Sequence, residues 1–437
     1  MSPAEPRFFF LMPVWGERYI EYLLTFGLPT LLSPNNLPWL PNRAVSQFTF
    51  VTSSEDEEAI RASKLFARIE ELMPVKFIFL NFYEGDRIDK FNQLGLALKL
   101  GAGEALGRGY CLFFHPDGLY SDGTVKHLYN VAKSGKKACV THGPNSAIET
   151  IVPYLRERNL LGFDEVKPIA PRVLAEALLD NPHPDTTVHC MGNPHYPTDP
   201  YMGFWLSPKL YGALFRFVSL HPWMVDLREF SEIVQFGAID HNFIRAHGFA
   251  WSDVHVETDS DNILVIGLKP AAERNATPNP RLTRSPVANL AISLKKPSND
   301  IYSRFCFFHG LKVHTGNLDP SWDSFEHANL RWLAAIVSSE YAETWYDYAK
   351  LFVGYTVPFF RYTIIRRQPM VALKKVKKVL SHDFFARWHA RIFGRLIETS
   401  APFVPEFCAV CGSGTRRCVS GDMRSQVQAS HQPVPHR

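Results

Sequence analysis

The chain has 437 residues, 46% of them apolar and 21% charged, with a net charge of only +4. That composition excludes wholesale disorder and leaves room for one large α/β domain with an appendage, or for two to three domains. The basic character is local: residues 361–417 hold 12 Lys or Arg against 3 Asp or Glu, a net +9, so the remainder is about neutral to acidic.

In chain order, apolar runs alternate with helical periodicity. Strands are expected over residues 7–12, 47–52, 75–80, 110–114 and 136–141. Helices are expected over 17–32, 55–72 with Ser54 as cap, 86–106 and 124–133. Repeated strand–helix–strand units of this length predict a mainly parallel sheet with helices on both faces. Ligands of such sheets bind beyond the carboxyl ends of the strands, which places residues 13–17, 52–56 and 115–122 on one rim. Further on, a helix is expected over 171–179 and strands over 201–206 and 255–258. Residues 267–297 read as a surface linker, 320–396 as largely helical, and 418–437 as a polar, disordered tail. The domain division expected is 1–268, a linker with surface loops over 269–319, a basic helical region over 320–417, and the tail.

Seven cysteines, an odd number, and no recognisable secretion signal point to reduced thiols in a cytoplasmic protein. No window is long and uncharged enough to predict a membrane-spanning helix; the nearest, 332–362, is interrupted by Glu340, Glu343, Asp347 and Lys350.

The segment Tyr110-Cys-Leu-Phe-Phe-His-Pro-Asp-Gly-Leu-Tyr-Ser-Asp-Gly123 runs a strand into His115, Asp117 and Asp122. Short oxygen and nitrogen ligands at a strand end can hold Mg2+ or Mn2+ against a diphosphate. The competing reading makes Asp117 a turn residue and Asp122 a helix cap. Asp240, and Asp259 with Asp261, are candidate general bases, against a plain role as solvated loop acids. His183, His189, Cys190 and His195 fit no strong zinc spacing, and Cys408-Ala-Val-Cys411 with Cys418 lacks an evident fourth ligand. The run Leu373-Lys-Lys-Val-Lys-Lys-Val-Leu380, followed by Phe384, Phe385, Trp388 and Phe393, reads either as a basic amphipathic helix on an anionic lipid surface or as a helix packed on the main domain. No nucleic-acid module accompanies the charge, so nucleic acid is not an expected partner.

Pro13-Val-Trp-Gly-Glu17 after the first strand, Val51-Thr52 after the second, and strand-His115-Pro-Asp117 together resemble the nucleotide-binding half of GT-A glycosyltransferases. With Leu220-His-Pro-Trp-Met-Val225, the chain is more narrowly similar to a bacterial glycosyltransferase-like group, from about residue 8 to 268. The resemblance implies a GT-A-like fold and transfer of a sugar from a nucleotide-activated donor to a saccharide or lipid-linked acceptor, as in polysaccharide biosynthesis. It implies donor contacts from Pro13, Trp15, Glu17, Thr52, His115, Asp117 and Asp122. It also implies a divalent metal, Mn2+ or Mg2+, on Asp117, His115 and His221. His115 stands where the family's D-x-D pattern has its first acid. That departure raises a second reading, a non-catalytic nucleotide- or sugar-binding subunit derived from such an enzyme. The resemblance and the basic segment together imply a cytoplasmic protein, with the inner membrane surface as a place of attachment.

Overall fold

A computed structural model describes residues 5–80, 90–191, 193, 195–233, 240–276, 289–290, 293–294 and 306–338. In chain order the elements are β1 (Phe8–Pro13), α1 (Glu17–Tyr22), α2 (Leu28–Leu31), β2 (Gln47–Thr52), α3 (Glu57–Arg61), α4 (Lys64–Leu72), β3 (Val75–Phe79) and α5 (Lys90–Ala102). Then follow β4 (Tyr110–Phe113), β5 (Gly118–Tyr120), α6 (Thr124–Lys133), β6 (Ala138–Thr141), β7 (Asn145–Ala147), α7 (Ile148–Glu157), α8 (Pro171–Asp180) and α9 (Pro184–Val188). The last are β8 (Met202–Ser207), β9 (Gly212–Phe217), β10 (His221–Asp226), α10 (His241–Ala246), β11 (Val254–Val256), β12 (Val265–Lys269), β13 (Leu311–His314) and α11 (Pro320–Ser338).

Seven strands form the central sheet in the order β11-β6-β10-β4-β1-β2-β3. β10 runs antiparallel to both of its neighbours; every other adjacent pair is parallel. The fold is therefore α/β with a mainly parallel sheet, as the alternation of periods predicts. β1 shows why both faces are covered. Its residues alternate between two cores, Phe9 and Leu11 in one, Phe8, Phe10 and Met12 in the other. The first core takes its helical partners from α5, α7, α8 and α10, the second from α1, α2, α3, α4 and α6. A strand buried on both faces reads as an unbroken apolar run, which is what Phe-Phe-Phe-Leu-Met is.

Two expected helices are interrupted, each for a local reason. Between α1 and α2 the ladder widens to a π-turn over Leu23–Gly27. Pro29 offers no N–H to that ladder, and its ring crowds the carbonyl four residues back. The helix expected over 55–72 splits into α3 and α4 because Ser63, and not Ser54, is the N-cap, accepting from the Leu65 and Phe66 amides. Asp164 reinforces the break, taking the Ser63 hydroxyl at 2.5 Å and the Lys64 amide at 3.0 Å.

Two three-stranded sheets flank the central one, β5-β12-β7 and β13-β9-β8. β13 lies within the 269–319 stretch expected as linker and surface loop. Leu311 to His314 pair antiparallel with β9 and are largely buried, so that end of the stretch belongs to the packed body. The alternation Leu-Lys-Val-His is too short to announce a strand on its own; pairing with β9 decides it. Of the helical region expected over 320–396, α11 covers Pro320–Ser338, and its remainder, the basic segment, Cys408, Cys411, Cys418 and the tail lie outside the described residues. Cys111, Cys139, Cys190 and Cys306 are all buried.

Candidate functional site

After β3 the chain returns to the other side of β1 to lay down β4, so strand order reverses between β1 and β4. Loops leaving the carboxyl ends of two such strands diverge and open a crevice. A cavity of about 470 Å3 lies there, lined by Pro13 and Trp15 at the end of β1, Tyr19 of α1, and His115 and Asp117 of the loop after β4. His142 and Gly143 after β6, His221 and Trp223 of β10, and Gly118, Asn145 and Gly267 of the small sheet close its other side.

The backbone that frames the cavity is fixed in detail. Val14 N donates to Val51 O at 2.8 Å, extending the β1–β2 ladder by one rung, and Gly16 then takes a positive φ of 81° to enter α1. Asp56 accepts from Gly16 N at 2.8 Å and from the Ser53 hydroxyl at 2.7 Å, so the loops after β1 and β2 are tied together. The Tyr120 hydroxyl bonds both backbone groups of His115, accepting from its N–H at 2.7 Å and donating to its carbonyl at 2.8 Å. This locks the turn that presents His115 and Asp117. Gly143 admits no side chain, since a Cβ there would fall on the Val265 carbonyl oxygen.

His115, His142, His221 and Asp117 are all half-buried around the cavity. The rings of His115 and His221 are 4.8 Å apart, and Trp223 packs edge-on to His221 at 4.3 Å. Burial, with His142 nearby, lowers the His115 pKa to about 4, so its imidazole is neutral at neutral pH. Burial likewise lowers that of His142, against the pull of a Gly143 carbonyl 2.7 Å from Nδ1. A nitrogen facing a carbonyl oxygen must carry the proton, which leaves the other ring nitrogen of His142 as an acceptor. Burial pushes Asp117 up to about 6. A backbone hydrogen bond and the Arg18 charge favour its ionised form, but by less than burial opposes it.

Of the residues singled out in the sequence, Pro13, Trp15, His115, Asp117 and His221 thus meet at one cavity; the others do not line it. Glu17 is exposed on the first turn of α1, and Thr52 is fully buried beneath the rim. Asp122 anchors the loop before β2, accepting from Ser33 Oγ, Asn35 N and Asn35 Nδ2 at 2.7–2.8 Å. Capping of α6 comes instead from Asn36, whose Oδ1 accepts from the Gly123 and Val125 amides. Asp240 is the N-cap of α10, accepting from Asn242 N at 2.8 Å. Asp259 accepts from His314 Nε2 at 2.9 Å, and Asp261 pairs with Arg172 at 2.8 Å. Of the histidine-rich loop, His183 caps α9 and His189 Nδ1 faces the Asp185 carbonyl at 2.6 Å.

Sequence reasoning missed His142, Asn145 and Gly267. The rule that found His115, a polar residue directly after a strand, applies equally to Thr141-His142-Gly143 after β6. For a metal, the described residues converge to ligand spacing in two places, His127/His255/Glu257 and Asp259/Asp261/His314. His115, Asp117 and His221 are neither of these, so they do not form a closed cage, and an ion at Asp117 would need diphosphate oxygens to complete its shell.

No protein-family model matches the chain, and no curated protein does. Among solved structures, it is similar to a mannosyltransferase from Pyrobaculum calidifontis in complex with GDP-Man and Mn2+, at 13% identity and TM-score 0.31, over 88% of this chain and 87% of that one. It is also similar to S. aureus TarS 1-349, at 10% identity and TM-score 0.23, over 40% of this chain and 63% of that one. A third likeness is to mouse xyloside xylosyltransferase 1 in its apo form, at 13% identity and TM-score 0.21, over 35% of this chain and 58% of that one. Similarities of this size leave the fold to be read from the sheet topology itself.

Proposed function

We propose that the chain is a glycosyltransferase of GT-A-like build, moving a sugar from a nucleotide-activated donor to a saccharide or lipid-linked acceptor. The observation that carries this reading is the cavity at the reversal of strand order, with Trp15, Asp117 and three imidazoles around it. Its volume suits a small-molecule ligand. Trp15 offers an aromatic face to a base, and the ring N–H of the neutral His115 is a hydrogen-bond donor for diphosphate oxygens, with His221, whose Nε2 faces the Phe113 carbonyl at 3.4 Å, packed beside it. Donors fixed in a partly desolvated site stabilise a leaving diphosphate without reorganisation. His142, neutral and with one ring nitrogen free to accept, is suited to take the proton of an acceptor hydroxyl. It faces the cavity, whereas Asp240, Asp259 and Asp261, the bases expected from sequence, do not line it.

A divalent cation, Mn2+ or Mg2+, would supply charge neutralisation at the diphosphate, with Asp117 as its protein ligand. The incomplete ligand set around Asp117 favours a second reading, a nucleotide- or sugar-binding subunit without catalysis. The basic segment over 361–417 supports attachment to an anionic membrane surface on the cytoplasmic side, where lipid-linked acceptors are found.

The test combines thermal shifts by nucleoside diphosphates with nucleotide release from nucleotide-sugars, each with and without Mn2+. Stabilisation grows with ligand concentration over affinity. Stabilisation with release supports the transferase, and stabilisation without release supports the binding subunit. If no nucleoside diphosphate or nucleotide-sugar stabilises the protein, both readings fall.

A further inference from the structure

The free edge of the central sheet carries a cluster that the cavity does not use. Among the described residues β11 is the end strand and pairs only with β6. His255 lies on it, Glu257 follows it, and His127 comes from α6. The Glu257 side chain is 3% exposed, against 20% for His127 and 34% for His255, so the group opens to solvent on its imidazole side.

The two carboxylate oxygens of Glu257 have different tasks. Oε1 accepts from the Thr258 and Asp259 amides at 2.8 Å each and from Asn262 Nδ2 at 3.3 Å. Oε2 faces two imidazole nitrogens, His127 Nε2 at 2.7 Å and His255 Nε2 at 3.2 Å. Yet His127 Nε2, buried and this close, makes no hydrogen bond in the structure. A proton on that nitrogen is not aimed at Oε2, so the short contact is poorly satisfied as a hydrogen bond, and a cation replacing the imidazole protons would use the same three converging atoms. All three donor atoms lie within 4.8 Å of one another. Around tetrahedral zinc, with bonds of roughly 2.0–2.2 Å, ligand atoms sit about 3.3–3.5 Å apart; the 3.2 Å pair is already close to this, and the 2.7 Å pair would open by about 0.6–0.8 Å.

We propose that His127 Nε2, His255 Nε2 and Glu257 Oε2 form a binding site for a divalent transition metal, zinc by preference, with a fourth position open to water. Two imidazoles and one carboxylate select zinc-like ions over Mg2+ or Ca2+. The hydrogen bonds to Oε1 are the outer support that metal-binding carboxylates carry, fixing Oε2 in place. Bound metal clamps the edge strand β11 to α6. The Asp259/Asp261/His314 group is a poorer host because two of its members hold partners outside the group: Asp261 is paired with Arg172, and His314 Nδ1 faces the Gly316 carbonyl.

The full-length, untagged chain, stripped of metal, is titrated with Co2+ and then Zn2+. One equivalent of Co2+ with visible bands of four- or five-coordination, displaced by Zn2+, is expected, together with a melting temperature that rises with Zn2+. His255→Ala, at a part-exposed position, is the decisive variant; it should keep its circular dichroism and weaken Co2+ binding by at least about tenfold. Asp261→Asn should bind as the parent does. The proposal is overturned by absent cobalt bands, by unchanged binding in folded His255→Ala, by loss of binding in Asp261→Asn, or by intense thiolate-to-cobalt bands that place the ion on cysteines.

Discussion

Replacing Asp117 by Asn separates the demands of function from those of folding. Burial moves this carboxyl from an ordinary 3.8 to about 6. At 1.4 kcal/mol per tenfold, its ionisation above pH 6 costs the native state up to about 3 kcal/mol, an upper limit because the group is not wholly enclosed. The folded pKa lies above the unfolded one. The stability it contributes is therefore complete below pH 3.8 and lost as the pH rises through 6. Asp117→Asn has no such loss, so its stability relative to the parent should be higher at pH 8 than at pH 4 by about 1–3 kcal/mol. Denaturant unfolding of both proteins at the two pH values reads this difference directly. In the same variant, nucleotide release from the donor should fall by about two orders of magnitude, the scale of losing one strong electrostatic group at a reacting centre. Such a trade of stability for function marks a strained active-site residue. If the variant gains nothing at pH 8 relative to pH 4, the burial argument is refuted; if release is unchanged in folded protein, so is the assignment of Asp117 to the site.

Trp15→Ala should weaken nucleoside diphosphate binding by about tenfold or more, the scale of one base–aromatic stack; isothermal titration checks it, and unchanged affinity would remove Trp15 from the base pocket. Gly143→Ala should cost roughly 1–3 kcal/mol in thermal or denaturant unfolding, since its Cβ meets a backbone carbonyl that cannot swing away. Truncation before Met370 should release the protein from anionic liposomes, most visibly at low salt, while donor hydrolysis persists. Equal liposome binding by the truncated chain would show that the basic segment is not the attachment.

The local grammar of the chain was legible. β2 over Gln47–Thr52 and α6 over Thr124–Lys133 fall where periodicity alone places them, because each buries a face that its own spacing defines. The rule that ligands gather at strand ends picks out His115 and Asp117, both of which line the cavity. The basic character of residues 361–417 is likewise fixed by composition.

What tertiary structure decided is what depends on partners distant along the chain. Leu220-His-Pro-Trp-Met-Val225 carries no sign that β10 inserts antiparallel between β4 and β6, yet that insertion brings His221 within 4.8 Å of the His115 ring. The cap of α6 comes from Asn36, 87 positions before Gly123, and the break between α3 and α4 is reinforced by Asp164, 101 positions after Ser63. Glu257 reads in sequence as one more acid of a short expected strand; packing buries it against histidines from a helix and the sheet's edge strand. Periodicity reports which face of an element is buried, because burial is a property of that element's own residues. It cannot report what that face meets, because a contact belongs to two segments and only the folded chain brings them together.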